Sequence, residues 1–234
     1  MKNTIQDKSK LVNSVFTDVH QKYDLMNDIM SLGIHRKWKE KFISWMNPQP
    51  HTKLIDVASG TGDIAKLFFE KSKRRSLITC IDQNEEMLKQ GKNKLKKYNS
   101  INWIKASAER IPEADNTFDY YSISYGIRNV TNINATLKEA FRVLKPGGRF
   151  MCLEFSKIEN DALRYIYKKY SKTIPYLGKL IVGTDKPYKY LVQSIEKFYN
   201  QEQLAELIIK NGFSNVKFRN LSNGISAIHS GWKI

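Results

Sequence analysis

Short apolar runs alternate with amphipathic segments along the middle of the chain, which is typical of strands and helices that follow one another. The runs are rich in β-branched and aromatic residues, as buried strands are. Strands joined by helices form right-handed crossovers and a parallel sheet, with ligands beyond the carboxyl ends of the strands. The five predicted strands are residues 53–57, 77–82, 101–106, 118–127 and 149–156.

The helices between and after these strands have recognisable ends. Asn84 is the predicted N-cap of a helix that reaches residue 97 and turns Met87 inward. Pro146 and Gly147 are predicted to end the helix that follows the fourth strand. After residue 199 the pattern resumes with a helix over 201–213. Two further strands, joined by a short Ser-Asn-Gly connection, predict an antiparallel pair.

Two regions interrupt the alternation. Residues 10–45 place apolar side chains at helical spacing and predict a helical arm that ends at 47–50, NPQP. Residues 157–199 are too long for one crossover helix and predict a helical insertion. Its apolar stripe can face the core beneath a solvated basic face, or it can form a basic lid that contacts a membrane or a lipid-like substrate. The stripe is Leu163, Ile166, Tyr167, Tyr170 and Ile174, interleaved with Arg164, Lys168, Lys169 and Lys172.

The stretch 52–63, TKLIDVASGTGD, combines the end of a strand, a turn of small residues and the start of a helix. Gly60 and Gly62 let a ligand approach the backbone, and the N–H groups of the first helical turn point toward it. Asp82, at the end of the next strand, is placed to accept hydrogen bonds from two ribose hydroxyls. The turn lacks the spacing of dinucleotide and triphosphate loops. With Asp56 at a ligand ammonium group and Asp82 on the ribose, S-adenosylmethionine fits.

Composition and charge limit the partners. The chain has 234 residues, enough for one α/β domain, and a net charge of +16. This charge favours an anionic partner, either nucleic acid or an acidic membrane face, although a solvated basic surface that binds nothing is the alternative. Cys80 and Cys152 fall in predicted strands, and no disulfide or metal spacing is present. A polar start and the lack of a long apolar run predict a soluble, cytoplasmic protein.

Several segments resemble one enzyme family closely. They are residues 23–39, YDLMNDIMSLGIHRKWK, residues 142–156, RVLKPGGRFMCLEFS, and the motifs DVASGTGD, SAERIP, ISYGIRNVTN and AIHSGWKI in the same order. From about Phe16 onward the chain resembles the UbiE/Coq5 methyltransferases of ubiquinone and menaquinone biosynthesis. It departs from the usual pattern in the glycine turn and in the loop IPEADNTFD. The differing residues are Ala58, Ser59, Glu113 and Ala114.

The resemblance implies a Rossmann-like, class I S-adenosylmethionine-dependent methyltransferase fold of the α/β class. Its seven-stranded sheet is mostly parallel with an antiparallel last strand. The expected organisation is a single domain, 1–234, with an N-terminal helical arm (1–50) and a cofactor-binding core (51–156). A helical insertion or lid (157–199) and a C-terminal helix and hairpin (200–234) follow.

The resemblance also implies a set of contacts to S-adenosylmethionine, with no metal. They are Thr61 in the turn, Asp82 on the ribose, Ser107 and Ala108 beside the adenine, and Ser124 at the end of strand four. The turn itself adds contacts at the methionine end and one apolar neighbour. These are Asp56, Gly60, Gly62, Asp63 and Met87.

Methylation of a quinol ring carbon requires a positioned ring that has lost a hydroxyl proton. Arg128 and Asn129, which follow strand four, are the candidates to hold the phenolate oxygen. Tyr23 is the candidate to close over the site and relay the proton, and His35 is a second base candidate.

Each of these candidates also has a structural interpretation. Arg128 can serve only as an ion-pair partner of Asp24 or Glu154. Tyr23 can be a packing residue, and His35 can satisfy local hydrogen bonds near a helix end.

Three functions compete. The first is a quinol C-methyltransferase acting on 2-methoxy-6-polyprenyl-1,4-benzoquinol, with demethylmenaquinol as the close alternative. The second is an RNA methyltransferase, motivated by the charge, although the chain has no Asn/Asp-Pro-Pro-aromatic tetrapeptide and no added RNA-binding module. The third is a membrane-binding adaptor without activity, against which the intact cofactor residues argue. The first predicts a polyprenylated quinol and the anionic inner face of a membrane as partners. Other quinone-biosynthesis enzymes and a homodimer are further expected partners, and nucleic acid is not expected.

Overall fold

A computed structural model of the protein describes residues 28, 31 and 33–234. Its strands are β1 (Lys53–Val57), β2 (Leu77–Asp82), β3 (Ile101–Lys105), β4 (Phe118–Ser124), β5 (Leu144–Phe155), β6 (Ser214–Leu221) and β7 (Ser226–Trp232). They form one sheet in the order β3-β2-β1-β4-β5-β7-β6. The first five strands pair in parallel, whereas β7 is antiparallel to both β5 and β6. The predicted sheet and its antiparallel last strand are therefore confirmed.

The helices follow the predicted order. They are α1 (His35–Met46), α2 (Asp63–Lys71), α3 (Glu85–Lys94), α4 (Ile133–Val143), α5 (Asp161–Val182), α6 (Lys186–Lys197) and α7 (Gln201–Lys210), with a 3-10 turn at Ile127–Asn129. Asn84 caps α3 as predicted, because its side chain accepts a hydrogen bond from the Met87 N–H at 3.0 Å. The predicted stop at Pro146 is wrong by three residues. Since Leu144 already pairs with Phe118, β5 takes over directly at the end of α4.

Alternate residues of each central strand enter different cores, as the pleat requires. Leu54 of β1 packs with Trp38 and Phe68, from α1 and α2, on one face of the sheet. Its neighbour Ile55 packs with Leu137 and other residues of α4 and α7 on the other face. Both cysteines are buried and unoxidised within these two cores. The sheet is thus covered on both sides, and its open edge at the carboxyl ends of the strands is left for ligands.

The helical insertion consists of α5 and α6, packed against each other. A Cβ on Gly178 of α5 would lie 2.2 Å from a ring carbon of Tyr188 in α6, so the absence of a side chain permits this close approach. Tyr188 and Ile174 are fully buried, whereas Ile166 is 62% exposed. The predicted apolar stripe is therefore divided between a core-facing part and an exposed part. No helix among residues 28, 31 and 33–234 has the length and apolar content to cross a membrane.

Candidate active site

The glycine turn lies over the end of β2. After β1, Ala58 and Gly60 have left-handed backbone conformations, with φ of 52° and 53°. The Ser59 N–H donates to the Ile81 carbonyl at 3.0 Å, and the Gly60 N–H donates to Asp82 Oδ2 at 2.9 Å. A non-glycine residue at positive φ, such as Ala58, is uncommon, and these two hydrogen bonds stabilise the turn that contains it. The turn and the acidic end of β2 thus form one unit.

The two glycines of the turn serve different purposes. A Cβ on Gly60 would enter open space, and Gly60 lines the small cavity enclosed by the turn. A Cβ on Gly62, whose φ is +81°, would lie 2.7 Å from Trp103 and 2.8 Å from Leu95. Gly60 therefore leaves room for a ligand, while Gly62 lets the turn pack against the β3 side of the fold.

Asp56 lies at the floor of the cavity and is 1% exposed. The Ser122 hydroxyl donates to Asp56 Oδ1 at 2.6 Å. Burial raises the pKa of Asp56 to about 7, against the opposing effect of the Ser122 hydroxyl and the Ala65 N–H. A carboxyl that titrates near neutral pH can meet a cationic ligand group and ionise in response to it.

Asp63, the first residue of α2, is held by two lysines. Lys39 Nζ, from α1, lies 2.7 Å from Asp63 Oδ2, and Lys94 Nζ lies 2.7 Å from Asp63 Oδ1. Burial alone would raise the pKa of Asp63, but the two ammonium groups outweigh it and hold the pKa well below its ordinary value. Lys94 also donates to Thr61 Oγ1 at 3.3 Å. The carboxylate therefore joins α1 to the turn, a connection that sequence reasoning missed because Lys39 lies 24 residues away.

Asp82 is surrounded by backbone donors. Its Oδ1 accepts the Asn84 N–H and its Oδ2 accepts the Gly60 N–H, both at 2.9 Å. Burial raises the pKa of Asp82, and these N–H groups oppose the shift. Each carboxylate oxygen has two acceptor sites, so capacity remains for hydroxyl donors from a ligand. The Ala106 N–H donates to the Asp82 carbonyl at 3.1 Å and brings the loop after β3 alongside.

The loop after β3 carries the two predicted adenine-side residues. Ser107 donates its hydroxyl to Glu109, and Ala108 is 7% exposed. Glu109 Oε1 in turn accepts the N–H groups of Thr131 and Asn132 at 2.6 and 3.2 Å. Glu109 thus ties this loop to the segment that follows the 3-10 turn, a role that the motif SAERIP did not indicate.

The residues around this small cavity of about 30 Å³ are of the types that suit the amino-acid end of a nucleoside cofactor. Ser124 Oγ lies at its wall, buried and without a hydrogen-bond partner in the described part of the chain. A buried hydroxyl of this kind is expected to have a ligand or water partner. Asp56, Gly60, Thr61, Asp63 and Ser124 all line this one cavity. Asp82 borders it through Gly60, while Met87 is 2% exposed on α3.

Arg128 lies at the carboxyl ends of β4 and β5, beside this cavity. Its Nη1 donates to Glu154 Oε1 at 2.6 Å and to the Tyr125 carbonyl at 2.8 Å. The two charged side chains are 4% and 1% exposed. Burial raises the pKa of Glu154, and the guanidinium opposes the shift. The structure thus contains the pairing with Glu154 that the structural interpretation of Arg128 required, and this pairing fixes the guanidinium at the carboxyl ends of the strands.

Tyrosines of the helical insertion meet the segment around Arg128. Tyr190 of α6 donates to Asn129 Oδ1 at 3.1 Å. Burial raises the pKa of Tyr167 in α5 to about 12, and the charge of Arg128 opposes the shift. Sequence reasoning missed Tyr190, since nothing in its local pattern distinguishes it from its neighbours. A polar cluster of Arg128, Asn129, Tyr167 and Tyr190 results.

The remaining catalytic candidates are placed differently. Tyr23 lies outside the described residues. His35 is 2% exposed at the start of α1, and its Nε2 lies 2.8 Å from Asp28 Oδ1. Burial and the charge of Lys39 lower the pKa of His35. The imidazole thus has the local partner that its structural interpretation required.

A model of the ubiE/COQ5 methyltransferase family matches residues 3–233. The chain belongs to this family. It is 49% identical over 235 residues to the ubiquinone/menaquinone biosynthesis C-methyltransferase UbiE of Rickettsia bellii, covering 97% of this chain and 94% of that one. It is 44% identical to the mitochondrial 2-methoxy-6-polyprenyl-1,4-benzoquinol methylase of Dictyostelium discoideum, covering 98% of this chain and 83% of that one.

Solved structures share the fold of this UbiE/COQ5 protein. A SAM-dependent methyltransferase of Thermotoga maritima, described as a possible histamine N-methyltransferase, matches with a TM-score of 0.68 and 19% identity. The match covers 95% of this chain and all of that one. As a member of its family, the protein is an S-adenosylmethionine-dependent C-methyltransferase, as the sequence predicted. These relatives favour quinone biosynthesis over the RNA alternative.

Proposed function

We propose that the protein transfers a methyl group from S-adenosylmethionine to a ring carbon of 2-methoxy-6-polyprenyl-1,4-benzoquinol, with demethylmenaquinol as the alternative acceptor. The names of its relatives support both acceptors. The observation that carries the proposal is the Arg128–Glu154 pair, 2.6 Å apart, beside the cofactor cavity. A fixed guanidinium at this edge suits an acceptor that becomes an oxyanion.

The cofactor residues divide along the cavity. S-adenosylmethionine supplies an electrophilic methyl group on its sulfonium. Asp82 accepts hydrogen bonds from the ribose hydroxyls, and Asp56 forms an ion pair with the ammonium group at the cavity floor. Gly60 and Thr61 line the passage between them, and Ser124 supplies a hydroxyl from the end of β4.

The remaining assigned contacts complete the pocket. Ser107 and Ala108 border the adenine, and Met87 provides an apolar surface. Asp63 orients Lys39 and Lys94 at the methionine end. Gly62 shapes the turn through its packing against Trp103.

The acceptor residues hold and stabilise an oxygen. Loss of the hydroxyl proton makes the ring carbon more nucleophilic. Arg128 donates charge-assisted hydrogen bonds to the resulting oxyanion and stabilises its negative charge. Asn129, itself held by Tyr190, orients that oxygen. Tyr23 is the proposed proton relay, and His35, which is bonded to Asp28, is the less favoured base.

One assay tests the acceptor class. S-adenosylmethionine with a tritiated methyl group is offered to the purified protein with prenylated benzoquinols, prenylated naphthoquinols and total RNA in parallel. We expect label in the quinols, with the benzoquinol preferred. Label in RNA and none in either quinol would overturn the proposal.

We further propose that the outer face of α5 contacts an anionic membrane. Four large apolar side chains of this face are 60–66% exposed, and lysines accompany them. Such a face is typical of helices that lie in the headgroup region. Each lysine near the membrane surface adds about 1 kcal/mol to the free energy of binding to anionic lipid. The apolar residues are Tyr165, Ile166, Tyr176 and Leu180, and the lysines are Lys169, Lys172 and Lys179.

Vesicle flotation tests the membrane contact. Lys169→Glu/Lys172→Glu is compared with Lys96→Glu/Lys217→Glu, two exposed lysines on other elements that give the same change in net charge. We expect the first variant to lose binding to vesicles with anionic lipid and the second to retain most of it. Equal losses would show that the overall charge, and not this face, is responsible.

A further inference from the structure

A groove of about 380 Å³ runs between the helical insertion and the segment that leaves β5. Its volume falls in the range of about 300–1,000 Å³ found for small-molecule sites. It begins at Ser156, directly after the strand that carries Glu154. The residues that define its walls are Ser156, Ile158, Tyr167, Ser171, Val192 and Ile195.

The groove and the exposed apolar face occupy different sides of α5. Tyr167 and Lys168 line the groove together with Ser171, which lies one helical turn further along α5. Ile166 and Tyr176 point away from it and are 62% and 66% exposed. A single helix therefore separates an outward apolar face from an inward groove.

Two of the three cations that line the groove, Lys157 and Arg164, have partners within the protein, and the third, Lys168, is exposed to solvent. Lys157 Nζ donates to the carbonyls of Ile195 and Glu196 at 3.1 and 2.6 Å, at the end of α6. Arg164 pairs with Asp161 in the first turn of α5. With these two charges engaged, the groove is better suited to an uncharged apolar occupant than to an anionic headgroup.

The inner end of the groove meets the proposed acceptor residues. The Tyr167 hydroxyl is buried without a hydrogen-bond partner in the described chain, and the charge of Arg128 opposes the burial that raises the pKa of Tyr167. From the other helix of the insertion, Tyr190 is bonded to Asn129. A chain attached to a ring held by Arg128 and Asn129 thus has an adjacent apolar path.

We propose that this groove binds the isoprenoid chain of the acceptor, and that the chain leads from the ring site along the inner face of α5. The inference rests on the proposed function, because it assumes a prenylated acceptor. It assigns Val192 and Ile195 as residues that contact the isoprenoid chain and distinguish prenylated from unprenylated acceptors. They need not influence the cofactor site.

Chain-length kinetics test the assignment. Val192→Trp fills the groove, Val192→Gln makes it polar, and Ile209→Trp, at an exposed position of α7 outside both the groove and the outer face of α5, is the control. For a triprenyl benzoquinol we expect both Val192 variants to raise KM about tenfold or more, since one pocket contact discriminates on this scale. With an unprenylated benzoquinol, we expect all three variants to match the parent. An equal loss for both acceptors, or no loss for the prenylated one, would overturn the proposal.

A photochemical probe provides a readout independent of turnover. A benzoquinone carrying a farnesyl chain with a terminal diazirine is irradiated with the full-length protein, and labelled peptides are identified. We expect labels within residues 156–171 and 192–196, and their loss in Val192→Trp. Labels confined to the outer face around Tyr176 and Leu180 would overturn the groove assignment. If no quinol is methylated but the groove is still labelled, the proposed function fails while the isoprenoid site stands.

Discussion

The proposed cofactor side and the proposed acceptor side of the site are built in opposite ways. On the cofactor side, Asp56, Gly60 and Asp63 are neighbours in sequence, and Asp82 joins them through one backbone hydrogen bond of 2.9 Å. On the acceptor side, Arg128 depends on Glu154, 26 residues away, and Asn129 depends on Tyr190, 61 residues away. The cofactor side is thus a local turn that any similar fold can carry. The proposed acceptor side exists only once β4 and β5 lie side by side and the insertion has packed onto the sheet.

The strongest test of this division is Arg128→Ala. If Arg128 stabilises an oxyanion, we expect turnover to fall about 100-fold or more, as for loss of one oxyanion donor. The dissociation constant of S-adenosylmethionine, measured by calorimetry, should stay within a few-fold of the parent. Because Glu154 would lose its buried partner, thermal melting checks that the variant is folded. Arg75→Ala, an exposed arginine before β2, is the control; unchanged turnover in Arg128→Ala would remove its role.

The two glycines separate packing from binding. Gly62→Ala places a Cβ within 2.8 Å of Trp103 and Leu95 at a φ of +81°, so we expect a loss of about 2–4 kcal/mol in unfolding free energy. Gly60→Ala enters open space, and we expect about 1 kcal/mol from its left-handed backbone alone. For Gly60→Ala, we expect the loss in the binding free energy of S-adenosylmethionine to exceed the loss in the free energy of unfolding. Chemical denaturation and calorimetry on both variants check this, and the reverse order would contradict the assignment.

The pH dependence of cofactor binding tests Asp56. Its folded pKa of about 7 exceeds the ordinary value of 3.8, so its contribution to stability is present at acidic pH and is lost as pH rises through about 7. Cofactor affinity should change in the opposite direction, rising by up to about tenfold per pH unit below pH 7, because the ionised form meets the ammonium group. Asp56→Asn should flatten both profiles. A parent affinity that is constant between pH 6 and 8 would place the ammonium group elsewhere.

The smallest expected effect is that of removing the Tyr190 hydroxyl, which the helical insertion places beside Asn129. Tyr190→Phe removes one hydrogen bond to Asn129, so we expect about 1 kcal/mol, or about a fivefold loss of turnover. Tyr188→Phe is the matched control, because the Tyr188 hydroxyl is buried with no partner among the described residues. Initial rates at saturating cofactor measure both. Equal effects of the two substitutions would deny Tyr190 a specific role.

The sequence by itself determined the sheet, the glycine turn and five of the residues that line its cavity, namely Asp56, Gly60, Thr61, Asp63 and Ser124. Period-two and helical spacings are local, and the φ values that Gly60 and Gly62 adopt are preferences of the residue type. Even so, sequence alone did not distinguish the open side of Gly60 from the packed side of Gly62. That difference depends on Trp103, which reaches the turn from β3.

Tertiary structure alone decided the other half of the site. Whether Arg128 has Glu154 as its partner depends on β4 and β5 lying side by side, and the division of the α5 stripe depends on how α6 packs. Helical periodicity placed Ile174 and Ile166 on one stripe, yet one is fully buried and the other is 62% exposed. Burial is set by which surfaces meet. Contacts between residues far apart in sequence, such as Tyr190 with Asn129, leave no local pattern to detect.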